Sequence, residues 1–119
     1  MLKVVVGGQM DKQTIASFLE KHYGDRIEIS IKSDIEGAIA IQTGQADYYV
    51  GACATGAGGA LGLAVGLLGP KLCVSLTMPG KVMSEDEIRK QVADGKKAFG
   101  FVNYDAERVL PVLMDELLK

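Results

Sequence analysis

Two cysteines and one histidine are all that this 119-residue chain offers as soft or imidazole ligands. Cys53 and Cys73 form no C-x-x-C pair, so neither a disulfide framework nor a zinc cluster is suggested. No carboxylate or histidine group has ligand-like spacing either, and neither a metal nor a cofactor is expected. Excess charge of one sign is also missing: Lys plus Arg is 13 against 15 for Asp plus Glu, a net charge of −2. Nothing there calls for a nucleic acid or an anionic membrane surface. The opening residues Met1 to Val6 hold Lys3 within their apolar run and lead into no cleavage-like region, which argues against a secretory signal and makes the cytoplasm the expected compartment. Repeats, linkers and low-complexity tails are absent, and the length suits one domain spanning 1–119.

What the chain does have is a charge-free run of 23 residues between Asp47 and Lys71. Tyr48, Tyr49 and Val50 favour strand, while Cys53, Ala54, Thr55, Gly56, Ala57, Gly58 and Gly59 form a glycine-rich turn that leads into helix. A membrane span is the competing reading, because 18 or more apolar residues would ordinarily qualify and Gly58, Gly62 and Gly66 recur every four residues. The strand and turn leave only about a dozen residues of helix, roughly 18 Å against roughly 30 Å of hydrocarbon, so no membrane span is expected. A helix that begins at such a turn points its unpaired N–H groups into it, which makes an anion cradle.

Periodicity divides the rest into alternating strands and helices. Leu2 to Val6 reads as a strand, Gly7, Gly8 and Gln9 as a turn, and Asp11 as the cap of a helix with Ile15, Phe18 and Leu19 at helical spacing, ending near Gly24. Arg26 to Lys32 alternates Ile27, Ile29 and Ile31 with polar residues and suits a sheet edge. Asp34 is expected to cap a second helix ending near Gly44, followed by a third strand from Asp47 to Ala52 and a third helix from Gly58 to Leu68. Lys71 to Thr77 is the fourth strand. Ser84 with Glu87 forms a capping box for the fourth helix, Lys97 to Val102 is the fifth strand, and Asp105 to Leu118 is a fifth helix that Pro111 should kink or break.

This alternation predicts an α/β fold: a three-layer α/β/α single domain with a five-stranded, mainly parallel sheet in the order 2-1-3-4-5. Ligands in such sheets bind outside the carboxyl ends of the strands where the chain reverses, between the first and third strands, and both glycine turns flank that point. The ligand-binding candidates are therefore Gly8, Gln9, Cys53, Thr55, Gly56, Ala57, Gly58 and Gly59. Lys81 and Asn103, which follow the fourth and fifth strands, join them. Cys73 reads as core, His22 as a surface residue, and Tyr48 and Tyr49 face opposite sides of their strand, so at least one is packing. The third helix has no polar side. That predicts a homodimer or higher homo-oligomer through residues 58–68.

The G-G-Q turn at Gly7 to Gln9, the sequence D-Y-Y-x-G-A-C-x-T-G-A-G at Asp47 to Gly58 and the P-G turn at Pro79 and Gly80 resemble the YhfU family of small bacterial proteins along nearly the whole chain. That resemblance implies a name for the family and no reaction. The shorter pattern C-x-T-G-x-G at Cys53, Thr55, Gly56 and Gly58 resembles the loop after the third strand in the ribose-5-phosphate isomerase B and galactose-6-phosphate isomerase group. By that resemblance Cys53 would be the catalytic base and the amides from Thr55 to Gly58 an anion hole. Gly8 and Gln9 stand where that group has an Asp-His turn, and its phosphate-gripping Arg and His residues have no clear counterparts. Three functions follow: a binder of a small anionic or phosphorylated metabolite at the glycine-rich loop, an isomerase-like enzyme with Cys53 as base, and a non-catalytic assembly module.

Overall fold

A computed structural model of the chain describes residues 1–54 and 59–119. Five parallel strands form the central sheet: β1 (Leu2–Gly8), β2 (Ile27–Ile31), β3 (Tyr48–Cys53), β4 (Cys73–Ser75) and, after a small hairpin of β5 (Thr77–Met78) with β6 (Lys81–Val82), β7 (Ala98–Val102). The helices are α1 (Lys12–Tyr23), α2 (Asp34–Gln42), α3 (Gly59–Leu68), α4 (Glu85–Ala93) and α5 (Ala106–Leu117). None of the described helices is long and apolar enough to cross a membrane.

Side-chain alternation along the strands sorts the core into two layers. Val4, Val6, Val50, Ala52, Phe99 and Phe101 pack with Ile15 and Leu19 of α1, Ile88 of α4 and Leu110, Leu113 and Met114 of α5. Val5, Tyr49, Cys73 and Ala98 face the other way, onto Ala38 and Ile41 of α2 and Leu61 and Ala64 of α3. The three-layer α/β/α class is as the periodicity predicts.

One edge of the sheet departs from the expected order. The strands lie β2-β1-β3-β7-β4, so the last large strand inserts between the third and fourth, and 2-1-3-4-5 is corrected at its final two places. Burial explains the exchange: all five residues of β7 are buried, which suits an interior position, whereas β4 pairs through only three residues and is half-buried at Val74 and Ser75. The expected fourth strand also divides. Pro70–Leu72 is a 3₁₀ turn, and Thr77–Met78 leaves the sheet to pair with Lys81–Val82 across Pro79 and Gly80. Proline at the first central position and glycine at φ 78° at the second satisfy a type II turn.

Three helix signals also resolve differently. Asp11 stands at the start of α1 with φ 57° and caps nothing with its side chain. The cap of α2 is Ser33, whose Oγ accepts from the Glu36 N–H while the Glu36 carboxylate accepts from the Ser33 N–H; Asp34 is the first helical residue. Pro111 does not break α5, which runs unbroken through Leu117. The proline is exposed and removes one intrahelical donor, and the buried stripe of Val109, Leu110, Leu113, Met114 and Leu117 holds the helix regardless.

Candidate functional site at the carboxyl ends of β1 and β3

β1 and β3 are neighbours whose connecting helices lie on opposite faces, which makes their carboxyl ends the topological reversal at which ligands of such sheets bind. The chain leaves β1 at Gly8, with φ 90°, and a Cβ there would stand 2.5 Å from both the backbone nitrogen and the oxygen of Ala52. Only glycine fits such a turn. The N–H groups of Gln9 and Met10 both donate to the Ala52 carbonyl, at 3.0 and 3.2 Å, and the Gly8 N–H donates to Asp34 Oδ1 at 2.6 Å. Neither the Gly8 nor the Gln9 amide is therefore available to a ligand; what Gln9 presents is its exposed side chain.

Tyr49 crosses beneath this turn. Its ring lies over Gly51 on its own strand, Gly7 on β1 and Gly37 on α2, and an added Cβ at any of the three would come within 2.9 Å of a Tyr49 atom. The phenol so placed donates to Asp34 Oδ1 at 2.8 Å. Burial, then the hydrogen bond to Asp34 and the Asp34 charge, push the Tyr49 pKa well above the ordinary phenol range; Cys53 adds in the same direction and the Gly8 amide opposes. Cys53, the last residue of β3, is buried on the Tyr49 side of the strand. The ends of β1 and β3 thus bring together Gly8, Asp34, Tyr49 and Cys53, of which only Asp34 is partly exposed.

The other candidates divide. Thr55, Gly56, Ala57 and Gly58 lie outside the described residues, and Gly59 is the first residue of α3. Asn103 Nδ2 donates to Asp11 Oδ2 at 3.4 Å, linking the end of β7 to the turn after β1. Lys81 belongs to the β5–β6 hairpin, where it lines a separate cavity of about 120 Å³ with Leu76, Thr77, Met83 and Glu87. A larger hollow between Tyr23, Arg26, Arg89 and Asp115 is remote from the strand ends, and its Arg89 is already paired with Asp115 and Glu116 at 2.7 and 3.0 Å. His22 is exposed against Phe18 on α1, and burial pushes the Cys73 thiol up within the core. Among the described residues no three of His, Cys, Asp and Glu gather as metal ligands would.

Asp34 and Tyr49 are the residues that sequence reasoning passed over, one as a cap and the other as packing. Signals for both were present. Ser33 with Glu36 already completes a capping box, which leaves Asp34 surplus as a cap, and a tyrosine followed two residues later by glycine has room to lie along its strand.

The architecture is that of a five-stranded, parallel α/β domain with helices on both faces of the sheet. It superposes on ribose-5-phosphate isomerase B from Giardia lamblia with a TM-score of 0.71 at 16% identity, covering 99% of this chain and 94% of that one. The corresponding enzyme from Clostridium thermocellum gives 0.67 at 16% identity, with coverage of 98% and 84%. In sequence, residues 2–117 match the family described as protein of unknown function DUF2620, and the chain belongs to it. The uncharacterised protein YhfU of Escherichia coli K12 is 35% identical over 117 residues, 98% of this chain and 99% of that protein, and YhfU of Shigella flexneri matches equally.

Proposed function

We propose that the protein is a cytoplasmic binder of a small anionic or phosphorylated metabolite, held where β1 and β3 part. What supports this reading is the place where β1 and β3 part, the topological reversal at which ligands of such sheets bind, with the half-buried Asp34 beside it and the glycine-rich sequence following β3. The names of the solved relatives support a phosphorylated sugar as the ligand class.

Thermal unfolding of the full chain with ribose 5-phosphate, inorganic phosphate and a dicarboxylate tests the reading. A ligand at a hundred times its dissociation constant stabilises by about 2.7 kcal/mol. For a domain of this size that raises Tm by roughly 10 °C. No shift with any of the three would overturn it.

Catalysis is the second reading, favoured by the position of Cys53 at the end of β3 and by its C-x-T-G-x-G setting. Cys53 would take a proton from a sugar carbon beside a carbonyl and return it to the neighbouring carbon. Turnover of ribose 5-phosphate by the parent but not by Cys53→Ser is its expected signature.

Assembly is compatible with either. Ile35 and Ile39 of α2 and Leu67 of α3 are 52, 42 and 38% exposed beside the open positions Gly62 and Gly66, an apolar surface that suits a second copy of the chain. Sedimentation at micromolar concentration should show a species of twice the monomer mass or larger.

A further inference from the structure

We propose that Asp34 is a ligand anchor that selects a metabolite carrying a hydroxyl group beside its anionic group, and that Tyr49 and the Gly8 amide are positioning residues for its carboxylate. The inference rests on the binding reading above and adds to it the residue that discriminates.

Asp34 is freed from helix duty. As the first residue of α2 it would ordinarily help to cap the helix, but Ser33 and Glu36 satisfy each other's amides without it. Its carboxylate turns back to the sheet instead, where Oδ1 accepts two donors, the Gly8 N–H at 2.6 Å and the Tyr49 phenol at 2.8 Å. Two short charge-assisted bonds on one oxygen fix the plane of the group. The other oxygen, Oδ2, has no donor among the described residues, and Asp34 is only half-buried. A carboxylate oriented through one oxygen, whose other oxygen has no donor among the described residues, can accept a ligand O–H.

The surroundings are built around that orientation. Gly7, Gly37 and Gly51 each leave a space that the Tyr49 ring fills, and it is this path that delivers the phenol to the strand ends. Phenylalanine would fill the same space without the hydroxyl. The sign of the charge decides the ligand chemistry: a carboxylate repels a bare phosphate and accepts an O–H, so Asp34 contributes discrimination rather than phosphate grip. With its charge already shared by two donors, the group suits a neutral hydroxyl.

Titration calorimetry on the full chain with ribose 5-phosphate, n-propyl phosphate and O-phosphoethanolamine distinguishes the alternatives. The parent should bind ribose 5-phosphate about tenfold or more tighter than propyl phosphate, the value of one hydrogen bond to a charged acceptor. Asp34→Asn should erase that preference while holding or tightening propyl phosphate, a change of ratio that mere loss of structure would not produce. Tyr49→Phe should reduce the preference partway, and it carries the test alone if Asp34→Asn fails to fold. A preference undiminished in both variants overturns the assignment while leaving the binding reading intact. O-phosphoethanolamine binding tighter than ribose 5-phosphate overturns the choice of a hydroxyl. Failure of the parent to bind any of the three overturns the binding reading and this inference together.

Discussion

The closeness of Tyr49 to Gly51 makes a prediction that a double-mutant cycle can measure. A methyl group at position 51 would stand 2.8 Å from the Tyr49 hydroxyl and 3.1 Å from both its ring Cε1 and the Gly8 backbone nitrogen. Gly51→Ala therefore forces the phenol to move, and two terms add: overpacking, typically about 1–3 kcal/mol, and weakening of the 2.8 Å bond to Asp34 Oδ1, about 1.5 kcal/mol or more for a charged acceptor. In a Tyr49→Phe background the nearest atom is gone and the Asp34 bond has already been lost. Gly51→Ala should then cost only the residual overpacking against Cε1 and the Gly8 nitrogen. The expected coupling is about 1–2 kcal/mol, with the double variant more stable than the sum of the singles. Urea midpoints of the four proteins at an unchanged m-value read it directly. Additivity within about 0.5 kcal/mol would refute the claim that the phenol lies over Gly51 and is held there by Asp34.

Tyr49 also predicts an alkaline limb. Its folded pKa is raised, so its contribution is whole below the ordinary phenol value of about 10 and falls as pH rises beyond it, because the unfolded chain ionises first; Tyr49→Phe should flatten the urea midpoint above pH 10. Arg89 holds the Asp115 and Glu116 carboxyls below their usual range through hydrogen bonds, so that contribution is present above about pH 4 and lost as pH falls further. Arg89→Met should lessen the acid dependence there, and moderate salt should mask the difference. Buried Thr77 accepts the Val102 N–H at 2.8 Å, so Thr77→Val should destabilise by about 1–3 kcal/mol and speed hydrogen exchange at Val102, with Thr77→Ser much milder.

Periodicity made the layers legible. The alternation of Ile27, Ile29 and Ile31 placed β2 at an edge, and the helical spacing of Ile15 and Leu19 placed α1 on the sheet. Strand order beyond the third strand was not legible, because short apolar runs such as Cys73–Ser75 and Ala98–Val102 look alike until burial on both faces separates them. Helix continuity through Pro111 depended on tertiary contacts that no local propensity contains.

The site was half legible for a related reason. Composition pointed to the ends of β1 and β3 because glycine marks close backbone approach, and Gly8 and Gly51 stand there. Composition could not say which polar groups would meet, since Asp34 and Tyr49 are 15 residues apart and come together only when β1, β3 and α2 are in register. The glycines nearest the end of β1 serve packing: Gly7, Gly37 and Gly51 admit the Tyr49 ring, and Gly8 brings its amide to a carboxylate. The selectivity proposed for the carboxyl ends of β1 and β3 would rest on an acceptor held by its own neighbours, with the glycines as the space for the ring that holds it.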